Sequence, residues 1–213
     1  MARAGRLIYD GLLIMWDGFW IVWLSNLFWL VLLLPVVTIP LAFAGLYACA
    51  HGLVHGESLD WQSFFTGIRK HVGSSLKWTI ANVFVLFLAG FYIWFFTTQS
   101  DPPAGRSSTW VSLSLAFALL WWILNMYTFP FMLVQEKPSY LNALRNSVVL
   151  FVKWPGQALG FTLFNLVVIL LSFWLRFPWL VFGASLPALM ACLCVKDIVD
   201  QLNNMELEKT ELS

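Results

Sequence analysis

The sequence predicts an all-α, polytopic helical membrane protein: six transmembrane helices with two amphipathic helices on the cytoplasmic side. Three observations predict it. The 213-residue chain is 60% hydrophobic and only 11% charged, whereas a soluble domain carries about 25% charged residues to face water. Five stretches free of Asp, Glu, Lys and Arg, at 18–56, 78–100, 107–135, 154–175 and 177–195, are long enough to cross a bilayer, which takes about 20 apolar residues per helix. The first holds two helices and the others one each. Finally, with six crossings and both termini cytoplasmic, ten of the twelve basic residues fall on the cytoplasmic side, leaving only Arg106 and Arg176 outside, as the positive-inside rule requires.

In chain order, the first span covers about 19–35 and is rich in Trp, Leu and Val. Pro35 and Pro40 stand five residues apart, a spacing that breaks a helix into a tight turn. The second span, 39–54, carries small residues (Ala42, Ala44, Gly45, Ala48, Ala50) and only just approaches the hydrocarbon thickness of about 30 Å. The remaining spans are expected at 77–98, 109–133, 155–175 and 177–195, followed by a polar cytoplasmic tail, 197–213, all within one membrane domain, 1–213. The opening Met1 to Arg6 is basic, but Asp10 and Asp17 interrupt it and the apolar run that follows is too long for a cleaved leader. The first span is expected to be retained.

Two cytoplasmic connections, about 59–75 and 139–153, superimpose at an offset of 76 residues. Arg69 falls on Arg145, Lys77 on Lys153 and Trp78 on Trp154, while Phe65, Ile68, Val72 and Leu76 fall on Leu141, Leu144, Val148 and Val152. Those apolar positions recur every three or four residues, so each loop reads as an amphipathic interfacial helix with Arg and Lys on its polar side. Each leads into a spanning hairpin. Residues 5–16 are mildly amphipathic and also precede a hairpin, which makes the chain's start a candidate third, degraded copy. The repeat reads either as an old duplication that sets the packing, with its Lys-Trp pairs as ordinary interface anchors, or as a docking surface for a protein partner at Arg69, Lys70, Arg145 and Asn146.

Chemistry is sparse. A net charge of +1 with scattered basic residues gives no stripe for nucleic acid. No span carries a charged residue at its middle, where ion paths and proton relays place one; the deep polar groups are Asn26, Asn82, Asn125 and Asn165. Such amides hydrogen-bond between helices for about 0.6 kcal/mol each. His51 and His55 lie four apart, near Cys49, Cys192 and Cys194 in the expected topology, an imidazole and thiol set that zinc or copper accepts, but without CxxC or HExxH spacing. The odd cysteine count gives no disulfide framework. Ser74, Ser75 and Ser185 lack a nucleophile-elbow setting, and no phosphate-cradling loop exists. The expectation is a protein with no catalytic, cofactor or metal residues.

The segments Asn26-Leu27-Phe28-Trp29-Leu30, Leu34-Pro35-Val36-Val37-Thr38-Ile39-Pro40 and Ala44-Gly45-Leu46-Tyr47, with Trp61, Phe64-Phe65 and Arg69-Lys70, together resemble the YesL-like family of bacterial integral membrane proteins, a domain of unknown function. The specific match lies between Asn26 and Lys77; beyond Ser107 it is mainly hydropathy. The resemblance implies residence in the bacterial cell membrane and a role beside carbohydrate importers of the ATP-binding-cassette type. It supplies no site residues. The expected function is therefore a non-enzymatic accessory protein whose partners are the lipid bilayer and an importer subunit. The alternative is a small transporter or channel with a path lined by the four amides.

Overall fold

The computed structural model describes residues 2–98, 106–175 and 182–211. The beginning of the sixth expected span and Arg176 lie outside the described residues, as do the side chains of Arg106 and Lys209. The regular structure of the described residues is all helical: α1 (Ala2–Asp17), α2 (Phe19–Leu33), a 3₁₀ turn (Val36–Thr38), α3 (Ile39–Val54), α4 (Trp61–Thr98), α5 (Arg106–Val134), α6 (Tyr140–Lys153), α7 (Pro155–Leu175) and α8 (Ser185–Glu211). Four of these helices are long and apolar enough to cross a membrane, or five if the bent α1–α2 pair counts as one.

Local chemistry sets the breaks. Pro35 and the 3₁₀ turn separate α2 from α3, and the Thr38 hydroxyl donates to the Leu32 and Pro35 carbonyls that the broken helix leaves open. Helix α3 ends in a Schellman motif: Gly56 takes φ 72°, its N–H reaches Leu53 O at 3.0 Å, and Glu57 N–H reaches Gly52 O at 3.0 Å. Asp60 then opens α4 through a reciprocal cap, accepting from Ser63 N at 2.9 Å while its own N–H donates to Ser63 Oγ at 3.1 Å. At Gly18 the chain turns by 85° between α1 and α2.

One correction to the expected elements concerns α4. The interfacial helix expected at 59–75 and the span at 77–98 are a single helix of 38 residues, about 57 Å long at 1.5 Å per residue. In the second copy of the repeat the corresponding helices α6 and α7 are separate. Pro155, lacking an N–H and restricting its predecessor, breaks the chain there; the residue that falls on Pro155 at the 76-residue offset is Thr79, which lets the helix run on.

The helices form three units, each an amphipathic segment followed by an outer and an inner helix: α1 with α2 and α3, the two halves of α4 with α5, and α6 with α7 and α8. The inner helices α3, α5 and α8 contact one another, with Tyr47 and Phe129 rings 4.9 Å apart and Tyr127, Phe129, Met132, Leu189 and Met190 fully buried. Each amphipathic segment packs on an inner helix of a neighbouring unit: α4 on α3, α6 on α5, and α1 on α8, which closes the ring. Helix α1, which holds the candidate third copy, thus packs in the third place of the ring.

Small residues set the closest approaches. A β-carbon on Gly67 would collide with that of Ala48, and one on Gly11 would come within 2.7 Å of Met190 Sδ. Ala143, fully buried on α6, is the residue that falls on Gly67 at the 76-residue offset. The apolar stripe read from the sequence is a different face: Phe65, Val72, Leu76, Leu141, Val148 and Val152 are exposed, and the inward edges are Phe64, Gly67 and Ser75 on α4 and Ala143, Ser147 and Leu150 on α6.

Candidate functional site

The four amides occupy three different environments. Asn26, fully buried on α2, uses Oδ1 to accept from the backbone N–H groups of Ala184 at 3.0 Å and Ser185 at 3.3 Å. It caps the N-terminus of α8 from another unit, satisfying donors that the helix itself cannot. Asn82 and Asn125 meet between α4 and α5: Asn82 Nδ2 donates to Asn125 Oδ1 at 3.3 Å and to Trp78 O at 2.8 Å, Trp121 Nε1 donates to Asn82 Oδ1 at 3.1 Å, and Tyr140 OH donates to Asn125 Oδ1 at 3.1 Å. Asn165 is fully buried on α7; its Nδ2 faces Met126 Sδ at 3.7 Å and its Oδ1 has no partner among the described residues.

The Asn82–Asn125 pair borders a sizeable cavity. This space, about 420 Å³, lies between the N-terminal ends of α3 and α8 and the middles of α4 and α5, and its lining includes Trp29, Phe43, Tyr47, Trp78 and Trp122. Asn26 and Asn165 do not line it. Asn26, Asn82 and Asn125 therefore join helices, and the four amides do not form one row of polar groups through the bundle.

The expected docking residues Arg69, Lys70, Arg145 and Asn146 are all exposed. Lys70 borders a cavity of about 350 Å³ with Ala48, His51, Glu57, Asp60 and His71, and Asn146, its counterpart in the repeat, borders a smaller one of about 160 Å³ between α6 and α8. Asp60, fully exposed beside the first cavity, has its carboxyl held below the usual carboxylate range, chiefly by the Ser63 hydroxyl that donates to it at 2.8 Å. His51 and His55 stack with ring centroids 4.1 Å apart, and His55 Nδ1 donates to His51 O at 2.8 Å. Cys49, Cys192 and Cys194 are buried thiols. Among the described residues no three His, Cys, Asp or Glu side chains converge as a metal ion needs.

Sequence reasoning missed Asp197, which it placed at the start of a loose tail. Its carboxylate joins three helices: Oδ1 accepts from Arg3 at 2.9 Å on α1, and Oδ2 from Gln157 on α7 and Gln201 on α8, both at 2.6 Å. Next to it, Lys196 Nζ donates to Val54 O at 2.8 Å, covering the C-terminal carbonyls of α3. The adjacent Lys196-Asp197 pair, directly after the last apolar run, was the only available signal. Comparisons with family models, with curated proteins and with solved structures give no match to this chain.

Proposed function

We propose that this chain is a multi-pass bacterial membrane protein with both termini cytoplasmic, a non-enzymatic accessory component of carbohydrate uptake that offers Arg69, Lys70, Arg145 and Asn146 to a subunit of an ATP-binding-cassette importer. The observation that carries this reading is the pairing of Arg69 and Lys70 with Arg145 and Asn146: equivalent positions of a repeat, exposed on helices whose opposite edges are buried. Helix-joining amides favour it over a transport path. The importer as partner rests on the YesL-like resemblance. Affinity purification in mild detergent followed by mass spectrometry tests it: an importer subunit should accompany the native chain and be lost with Arg69→Glu/Lys70→Glu at equal abundance. Recovery of the native chain alone, or saturable solute uptake into liposomes that Asn125→Leu abolishes, would replace this reading with the transporter.

Six crossings satisfy the basic-residue count. One set of contacts favours a second arrangement of the same helices. Ser75 Oγ donates to Pro40 O and Lys70 shares a cavity with Ala48 and His51, so residues 61–75 run beside α3 at its own level. If α3 crosses, the exposed Arg69 and Lys70 sit at mid-bilayer depth, at a cost of about 2.5–3.5 kcal/mol each on insertion scales. A hairpin of α2 and α3 that enters and leaves on the cytoplasmic face removes that cost, and it leaves the charge count unchanged because the chain still returns to the same side. The two differ at Val37, at the hairpin tip and 88% exposed. In a background without native cysteines, an impermeant thiol reagent on intact cells labels Val37→Cys if α2 and α3 cross, and leaves it unlabelled, like Ser63→Cys, if they re-enter.

A further inference from the structure

We propose that the cavity between α3, α4, α5 and α8 is a binding site for one acyl chain of a bilayer lipid, with the ester oxygen of that lipid held at Thr79 and Asn125. The volume, about 420 Å³, falls within the range of about 300–1,000 Å³ typical of small-molecule sites. Its mouth is framed by Val83 and Leu86, both exposed on the apolar outer half of α4, and by Trp122. That half of the helix carries no charge from Trp78 to Thr98, so the solvent at the mouth is lipid hydrocarbon.

The lining decides the class of ligand. It contains no Asp, Glu, Lys, Arg or His, which excludes a phosphate headgroup from the interior because a buried anion without a partner is strongly disfavoured. A saccharide fails as well: most of the wall is aromatic and aliphatic, and hydroxyls placed against it would lose their hydrogen bonds to water without replacement. A bare alkane leaves two donors unused. The Thr79 hydroxyl is buried without a partner, and Asn125 spends one amide hydrogen on Trp121 O at 3.0 Å, leaving the second. Thr79 itself lines the cavity. Two donors beside an apolar cleft match a single carbonyl acceptor on a long hydrocarbon chain.

The test uses the full chain in nanodiscs with a phosphatidylglycerol that carries a diazirine in one acyl chain, and maps the photoadducts by peptide mass spectrometry. Adducts should concentrate on residues 78–86 and 183–188. Ala188→Phe, which fills the cavity from α8, and Val83→Trp, which closes its mouth from an exposed position and so survives if the first variant does not fold, should both reduce those adducts to the level of annular lipid. Adducts on the exposed Leu163 and Leu170 of α7 should stay unchanged. Thr79→Val keeps the shape and should lower cavity labelling by roughly fivefold, as loss of one hydrogen bond does, while labelling by a diazirine-bearing hexadecane is unaffected. Adducts that track exposure along α4 and α7 and ignore Ala188→Phe and Val83→Trp overturn the site. Equal loss of both probes in Thr79→Val overturns the role of the ester.

Discussion

Replacing Asn26 and Asn165 by leucine separates two amides that the sequence presents as equivalent. Both are fully buried in helices of the same kind, yet Asn26 Oδ1 accepts from two backbone N–H groups at the start of α8, whereas Asn165 has one weak contact to sulfur and an unpartnered oxygen. Asn26→Leu strips a helix cap, worth about 0.5–2 kcal/mol, and strands the half-buried donor of Ala184 and the buried donor of Ser185, a buried donor costing about 1–3 kcal/mol when unsatisfied. Because these describe the same bonds, they overlap, and the expected loss is about 2–3 kcal/mol. For a chain of this size that lowers the melting midpoint by about 4–12 °C. Asn165→Leu removes an amide whose desolvation is poorly repaid, so its midpoint should stay level or rise. Thermal unfolding in mild detergent, read as the surviving monodisperse fraction, gives both values. Equal losses in the two variants would refute the assignment of Asn26 as the cap of α8.

Three further outcomes are expected. Asp197→Ala should cost about 1.5–3 kcal/mol by leaving the nearly buried Gln157 amide without its charged partner, while Arg3→Ala, whose side chain is 58% exposed, should cost under about 1 kcal/mol; a larger loss from Arg3→Ala would put the weight on the ion pair instead. The depressed carboxyl of Asp60 makes the α4 cap fully present above the unfolded-state pKa and lost as pH falls through the lower folded value, so hydrogen-exchange protection at Gln62 and Ser63 should drop across that acid window in the native chain and not in Asp60→Asn. Gly67→Leu should destabilise by about 1–3 kcal/mol through overpacking against Ala48, and Gly73→Ala, whose β-carbon meets nothing within 4 Å, should stabilise α4 by up to about 1 kcal/mol; similar effects at the two glycines would deny the close approach of α3 and α4.

Much of the helical pattern was legible because hydrocarbon imposes it. Pro35 and Pro40 mark the α2–α3 break, and the charge-free runs mark the apolar helices. The 76-residue offset exposes a repeat whose units also recur in space. What escaped reading has specific causes. Lys77 looked like the end of an interfacial helix, but a charge at the membrane face does not interrupt backbone hydrogen bonds, and nothing between Ser74 and Ala89 does either. The apolar stripe reads as facing the membrane, and Phe65 and Val72 are exposed as that reading requires, while the interhelical contact made by Gly67 and Ala143 carries no hydropathy signal. That preference for small residues is the packing rule within bilayers, where apolar side chains gain little by leaving lipid. Asp197 and Arg3 are 194 positions apart, and no local pattern joins them.

The difference between Thr79 and Pro155 has consequences beyond one helix. Where proline stands, the amphipathic helix α6 and the outer helix α7 are free to take different directions, as α1 and α2 do across Gly18. Where threonine stands, α4 is one rod, and its second half is carried past the N-terminal end of α3, beside the first half of α5. The cavity lies at that step, bordered by the ends of α3 and α8 and by the middles of α4 and α5. One substitution between copies of a repeat therefore sets the reach of the α4–α5 hairpin, and the same residue supplies the unpartnered hydroxyl at the cavity. Thr79→Pro joins these consequences in one variant: α4 should break after Trp78, and both the long hairpin and the lipid adducts on residues 78–86 should be lost together.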